Sequence, residues 1–128
     1  MHVGPLLTGA SGGGHISIYI TVNHANLFGI CIGQSSVFGK HEKIIDKLRD
    51  GARLPVRLYC DAGVFETSAA RASDDEFPDH LAGNRYLRDM LRERGYDVMY
   101  REWMSDHSWL SWDRGMVVAL KTFWPAKK

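Results

Sequence analysis

Short apolar runs alternate with segments in which apolar side chains recur every three or four residues along this chain of 128 residues. The short runs predict buried strands, and the periodic segments predict amphipathic helices. The predicted strands are residues 3–7, 30–33, 56–60 and 97–103. The predicted helices are residues 14–23, 41–49, 79–94 and 111–123. Because a strand is followed by a helix four times, we expect an α/β fold with about four parallel strands and helices on both faces.

The first predicted turn carries a serine between glycines. Ser11 lies between Gly9 and Gly13, which fits the pattern G-x-S-x-G between a strand and a helix. Such a turn, a nucleophile elbow, holds the serine hydroxyl at the apex of a strained backbone, where larger flanking side chains would collide. The Gly12 N–H would then point to the place where an oxyanion forms. We hypothesise that Ser11 is a nucleophile, although a plain Gly/Ser-rich turn has the same pattern.

The helix at residues 14–23 is predicted because this turn leads into one, although its β-branched residues favour a strand by propensity. The helix at 79–94 is clearer, since an apolar stripe runs along it and Gly95 follows its end. A long polar loop is expected from residue 61 to about residue 75, and such loops tend to be functional or mobile. The inward residues of the last helix are predicted to be Met116, Val117, Leu120 and Phe123.

The composition fits a single domain, residues 1–128, with 45% hydrophobic and 24% charged residues. A net charge of +1 gives no electrostatic reason to expect nucleic acid or an anionic membrane as a partner. No apolar run approaches the length of a membrane span, and no secretory signal is visible, so we expect a cytoplasmic protein. Cys31 and Cys60 lie in apolar runs, which favours buried free thiols over a disulfide.

Side chains suited to hydrolytic chemistry follow three of the predicted strands. In open parallel sheets, functional groups collect at the carboxyl ends of the strands. Ser11 follows the first strand, Asp61 and Glu66 follow the third, and His107 follows the fourth. Nucleophile, acid and then base is the chain order of α/β-hydrolases. A serine needs a base to activate it and an acid to orient that base, so we expect His107 as base and either Glu66 or Asp61 as acid.

These motifs resemble an esterase family that contains enterochelin esterases, feruloyl esterases and esterase-D-like enzymes. The similar segments are residues 9–14, 24–29, 34–35, 94–98 and 107–112, and in the last of them a histidine precedes W-x-x-W. The resemblance implies a serine hydrolase of the α/β-hydrolase fold. It matches Ser11 to the nucleophile, His107 to the base and Glu66 to the acid, with Asp61 as the second choice.

Two features depart from the family. His107 is preceded by Ser105 and Asp106, where the family commonly has two glycines. Family members also carry several strands before the serine turn, including the loop that gives the second oxyanion donor. The resemblance therefore implies a truncated α/β-hydrolase with an uncovered sheet edge, for which we expect a homodimer or a higher oligomer.

Three aromatic residues are candidates for the walls of a substrate pocket. Trp109 and Trp112 begin the last helix, where core or lid packing is the favoured role and a pocket wall the alternative. His15 follows the serine turn, where a surface position is the commoner role and an approach to the site the alternative. No metal or cofactor is expected, because His24, His41 and His80 have no partners at metal-ligand spacing and the sequence has neither C-x-x-C nor H-x-x-x-H.

The sequence thus predicts a serine carboxylesterase that hydrolyses short-chain or small esters through an acyl-enzyme on Ser11. A non-catalytic remnant, acting as a binding or assembly module, is one alternative. An acyltransferase that uses the same three residues is the other.

Overall fold

The computed structural model describes residues 5–39, 42–67, 77 and 79–127, which form an α/β fold of four strands and four helices. The strands are β1 (Leu6–Ala10), β2 (Ile30–Gln34), β3 (Arg57–Gly63) and β4 (Asp97–Trp103). The helices are α1 (Gly12–Asn23), α2 (Lys43–Asp50), α3 (His80–Glu93) and α4 (Trp109–Phe123). All neighbouring strands are parallel, in the order β1-β2-β3-β4. The predicted fold class is confirmed.

The register of the sheet brings the carboxyl ends of the strands to one edge. Ala10, Gln34, Asp61 and Arg101 are partners across the four strands. The loops that follow the strands therefore begin at nearly the same level, as expected where a parallel sheet gathers functional groups.

The two faces of the sheet are covered by different helices. On one face, Cys31, Leu58 and Cys60 pack in a buried cluster with side chains from α1, α2 and α3. On the other face, Ile30, Ile32 and Tyr59 pack against α4. Alternate strand residues point to opposite faces, so a strand buried on both sides shows a continuous apolar run. Helices on both faces are thus confirmed, and Cys31 and Cys60 are buried free thiols, as predicted.

Helix α1 forms despite its β-branched residues because the fold buries one of its faces. Ile18 and Val22 pack in the core, and Ser17 Oγ donates a hydrogen bond to the Gly13 carbonyl. The helix begins at Gly12, two residues before the predicted start. Tertiary packing therefore outweighs local propensity in this segment.

Several predicted boundaries were wrong. Strand β1 continues to Ala10, while residues 3–4 of the predicted strand lie outside the described residues. Strand β3 continues to Gly63, so Asp61 belongs to the sheet and not to a loop; most of that predicted loop, residues 68–76, is not described. Helix α2 begins at Lys43, and His41 lies outside the described residues.

Helix α4 begins at Trp109, and the stripe of residues that it buries differs from the predicted one. Phe123 and Ala119 are buried, whereas Val117 is 53% exposed and Leu120 is 39% exposed, so their predicted inward positions were wrong. A spacing of four residues keeps the buried positions on one side of the helix. No helix among the described residues is both long enough and apolar enough to cross a membrane.

Candidate active site

Ser11 occupies a strained turn between β1 and α1. Its φ is 57° and its ψ is −124°, a region that residues other than glycine rarely adopt. The Ser11 N–H donates to the Gln34 carbonyl at 2.8 Å, and the Ser11 carbonyl accepts from the His15 N–H at 3.2 Å. A Cβ at Gly9 would collide with the Gly13 carbonyl, so the turn requires glycine at that position.

His107 lies in the loop between β4 and α4 and joins Ser11 to Glu66. Its Nε2 is 2.8 Å from Ser11 Oγ, and its Nδ1 is 2.5 Å from Glu66 Oε1. With the imidazole proton on Nδ1, Nε2 is free to accept a hydrogen bond from the serine hydroxyl. The structure therefore brings together the side chains that the sequence put forward as nucleophile, base and acid.

The Glu66 carboxylate is buried and held by several hydrogen-bond donors. Its Oε2 accepts from Ser35 Oγ at 2.8 Å and from the Gly63 N–H at 2.6 Å, while His80 Nδ1 is 3.5 Å from Oε1. Burial would raise the pKa of Glu66, but the hydrogen bonds from His80, Gly63, His107 and Ser35 outweigh it and lower the pKa to about 2. Glu66 is therefore ionised throughout the neutral range.

His80 is a member of this cluster that sequence reasoning missed. It begins α3, directly after the N-cap Asp79, whose side chain accepts from the Ala82 N–H at 2.7 Å. Its ring centroid is 5.1 Å from that of His107. The helix start could have found it, since helices that follow parallel strands begin at the carboxyl edge of the sheet.

Asp61 lies in a separate buried network. Its Oδ2 accepts from Gln34 Nε2 at 3.1 Å, Tyr59 OH at 3.1 Å and Trp103 Nε1 at 3.2 Å. Burial raises the pKa of Asp61, and these hydrogen bonds offset that rise only in part. The carboxylate ties β3 to its neighbouring strands, and none of its hydrogen bonds to described residues involves His107.

The two tryptophans lie side by side next to the site. The Trp112 ring contacts His107 edge-on at 4.8 Å, and its Nε1 donates to Ser35 Oγ at 3.1 Å. The Trp109 ring is 5.0 Å from that of Trp112 and is 74% exposed. Both line a cavity of about 230 Å³ together with Ala10, the residue before Ser11. Trp112 thus combines a packing role with a position at the wall of a cavity.

Gly12 and His15 both lie in the first turn of α1. His15 Nε2 is 2.5 Å from Glu42 Oε2, and its ring packs edge-on against Phe38. Its polar contact is therefore to Glu42. Gly12 is the first helical residue and is exposed, with open space around it. Its N–H belongs to the first turn, whose N–H groups have no partner within the helix.

A second cavity of about 690 Å³ adjoins the His107 loop. It is lined by polar groups of that loop and by apolar side chains from several elements. Its lining includes Phe65, Met104, Leu110 and Arg114. The loop that carries His107 thus borders a cavity whose walls are partly polar and partly apolar.

Solved structures of hydrolases share this fold. Enterochelin esterase from Shigella flexneri has a TM-score of 0.72 and 22% identity, over 94% of this chain and 30% of that chain. A ferulic acid esterase has a TM-score of 0.68 and 17% identity, over 90% of this chain and 49% of its own. An IroE-like serine hydrolase from Shewanella oneidensis has a TM-score of 0.74 and 15% identity, over 96% of this chain and 41% of that chain. Because these identities are low, the structural similarity establishes the fold alone.

Sequence comparison extends this likeness to a family. The uncharacterized protein YjcH of Bacillus subtilis (strain 168) is 29% identical over 118 residues, which are 92% of this chain and 48% of that protein. The chain therefore spans about half the length of this curated relative. A family described as "Putative esterase" matches residues 2–123, nearly the whole chain. The resemblance seen in the motifs is thereby confirmed, and the chain belongs to this esterase family.

Proposed function

We propose that the chain carries the active site of a serine carboxylesterase, with Ser11 as nucleophile, His107 as general base and Glu66 as the acid that orients it. The observation that carries the proposal is the continuous contact from Ser11 Oγ through His107 to Glu66 Oε1, at 2.8 Å and 2.5 Å. Membership of an esterase family and the strained turn at Ser11 add support.

In the proposed reaction, His107 Nε2 takes the hydroxyl proton as Ser11 Oγ attacks the ester carbonyl carbon. The ionised Glu66 stabilises the imidazolium that forms. His107 then gives the proton to the leaving alkoxide, and an acyl group remains on Ser11. In the second half of the reaction, water gives a proton to His107 as it attacks the acyl carbonyl carbon. The bond to Ser11 Oγ then breaks, the carboxylic acid leaves, and His107 returns the proton to Ser11 Oγ.

The Gly12 N–H is the proposed oxyanion donor. It follows the nucleophile directly and belongs to the first turn of α1, where the helix dipole favours negative charge. A donor of this kind contributes about 10²- to 10³-fold to the rate of comparable reactions.

The proposed substrates are short-chain or small carboxylic esters. The cavity beside Ala10 holds about 230 Å³, and its Trp109, Trp112 and Met116 walls suit a short acyl chain or one aromatic ring. Siderophore and feruloyl esters are further candidates beside this class, because the similar structures include an enterochelin esterase and a ferulic acid esterase.

Hydrolysis of 4-nitrophenyl acetate tests the proposal. The wild-type chain should turn over the ester, and Ser11→Ala and His107→Ala should each lose several orders of magnitude in kcat, because the three groups act as one unit, while the oxyanion donor and substrate binding sustain a small residual rate. Equal turnover by Ser11→Ala and the wild type would contradict the nucleophile assignment. An inactive wild type would favour the non-catalytic module, and ester exchange with an added alcohol in preference to hydrolysis would favour the acyltransferase.

A further inference from the structure

Glu66, His80 and His107 bring three possible metal-ligand atoms close together. Glu66 Oε1 is 2.5 Å from His107 Nδ1 and 3.5 Å from His80 Nδ1, and all three donor atoms lie within 4.8 Å of one another. The residues are far apart in sequence, which is why no metal-ligand spacing is visible there. We propose that these three residues bind Zn²⁺, and that the bound ion switches the Ser11 site off.

The donor set and its spacing fit zinc. Two imidazoles and one carboxylate, with a fourth position left for water, are a common set of zinc ligands. Zinc–nitrogen and zinc–oxygen bonds of about 2.0–2.1 Å put tetrahedral donors roughly 3.3 Å apart. The His80 contact with Glu66 already has nearly this length, and His107 needs to withdraw from Glu66 by less than about 1 Å. The donor atoms of the two imidazoles lie within 4.8 Å of each other, so they need to approach by at most about 1.5 Å. Mg²⁺ and Ca²⁺ prefer sets made of oxygen alone.

The residues around the site fix the Glu66 carboxylate and leave the two imidazoles partly open to solvent. Glu66 Oε2 is occupied by Ser35 Oγ and the Gly63 N–H, so Oε1 is the oxygen turned to the imidazoles. Such hydrogen bonds to the second oxygen fix the orientation of a metal ligand. The Glu66 side chain is only 1% exposed, whereas those of His80 and His107 are 16% and 33% exposed. An ion and its water would therefore enter from the side of the imidazoles.

Zinc at this position reverses the hydrogen-bonding role of His107. The base needs its proton on Nδ1 so that Nε2 can accept the Ser11 proton. A zinc ion on Nδ1 displaces that proton to solvent, and Nε2 takes one from solvent, so the ring stays neutral and Nε2 becomes a donor. Nε2 then cannot accept from Ser11. This loss of activity rests on the proposed function, whereas zinc binding does not.

Calorimetric titration of Zn²⁺ into the Ser11→Ala protein tests the site without using activity. We expect one saturable site, which His80→Ala or His80→Gln in the same protein weakens at least tenfold. His24→Ala is the matched control, because His24 is an exposed histidine at the end of α1, and it should leave the affinity unchanged. Absence of saturable binding, or equal affinity after both His80 changes, would overturn the site.

Covalent labelling of the wild type with a fluorophosphonate tests the switch. Zn²⁺ should slow labelling at least tenfold, EDTA should restore it, and His80→Ala should need at least tenfold more Zn²⁺ for the same relative effect. Equal sensitivity of both proteins to Zn²⁺ would overturn the switch. If the wild type is not labelled in EDTA, the proposed function fails, and the titration of Ser11→Ala still decides the zinc site.

Discussion

At the scale of single residues, the two acidic candidates differ in what surrounds their carboxylates. Glu66 accepts hydrogen bonds from several donors, two of which are the imidazoles of His80 and His107, and these lower its pKa to about 2. Asp61 receives hydrogen bonds from Gln34, Trp103 and Tyr59, and burial raises its pKa. A carboxylate that stabilises an imidazolium should itself remain ionised, which favours Glu66 as the acid.

Glu66→Gln and Asp61→Asn should therefore separate the two roles. Glu66→Gln should lower kcat by about 10³- to 10⁴-fold, because the amide neither fixes the His107 tautomer nor stabilises its cation. Asp61→Asn keeps an oxygen that can accept hydrogen bonds, and we expect a loss of less than about tenfold. Steady-state kinetics on 4-nitrophenyl acetate compare them, and the reverse ranking would make Asp61 the acid.

The lowered pKa of Glu66 also makes stability depend on pH. Its folded-state pKa of about 2 is below its ordinary value of 4.5, so its stabilising contribution is complete above pH 4.5 and is lost as the pH falls through about 2. Glu66→Gln should be less stable than wild type at neutral pH, by an amount on the order of a few kcal/mol. Urea unfolding should show this gap shrinking between about pH 4.5 and pH 2. A gap that is constant or grows on acidification would contradict the account.

Sequence order could propose Ser11, His107 and Glu66, because the strand ends of a parallel sheet share one edge. The predicted helix start at residue 79 places His80 near the same edge, but the sequence could not supply its contact with Glu66, which depends on how α3 packs on the sheet. It could not supply the partner of His15 either. Glu42 meets His15 only because α1 and α2 pack on the same face of the sheet.

At the scale of elements, the turn from β1 to α1 depends on close backbone approach. A Cβ at Gly9 would meet the Gly13 carbonyl, whereas a Cβ at Gly13 would meet nothing within 4 Å. The two glycines of the motif therefore have different reasons to be glycine. Only the first is required by packing against the helix.

Gly9→Ala should destabilise the protein by about 1–3 kcal/mol, as overpacking does. Gly13→Ala is the matched control, and it should be neutral or stabilising by up to about 1 kcal/mol, because alanine restricts the unfolded chain. Urea unfolding of both variants checks this. Equal stability of the two variants would show that the turn does not depend on this close approach.

The sequence predicted both ends of β4 correctly and each end of α3 to within one residue, because both elements have clear periodicity and end signals. It predicted the inward face of α4 less well. Val117 and Leu120 are apolar, yet the buried stripe includes the small residues Gly115 and Ala119. Hydrophobicity alone cannot identify a face on which small residues allow close packing against a sheet.

At the scale of the whole molecule, β1 lies at one end of the described sheet and pairs with β2 alone among the described strands. Apolar side chains are exposed on two helices, among them Ile16 and Tyr19 of α1 and Val117 of α4. An open strand edge and exposed apolar groups favour association. The homodimer expected from the sequence stays a prediction.

Light scattering on the purified chain checks that prediction. We expect a mass of at least twice the 14.5 kDa of one chain. Substituting Lys for Thr8, an exposed residue of β1, should shift the mass towards that of one chain, because edge lysines oppose strand pairing. A wild-type mass of 14.5 kDa at micromolar concentration would contradict a stable dimer.

The central claim is that Ser11 is an activated nucleophile, and intact-mass spectrometry after fluorophosphonate labelling tests it most directly. We expect a single adduct on the folded wild type, and none on Ser11→Ala or on wild type unfolded in urea, since a serine without its base reacts poorly. An unlabelled wild type, or an adduct that forms equally on Ser11→Ala, would contradict it.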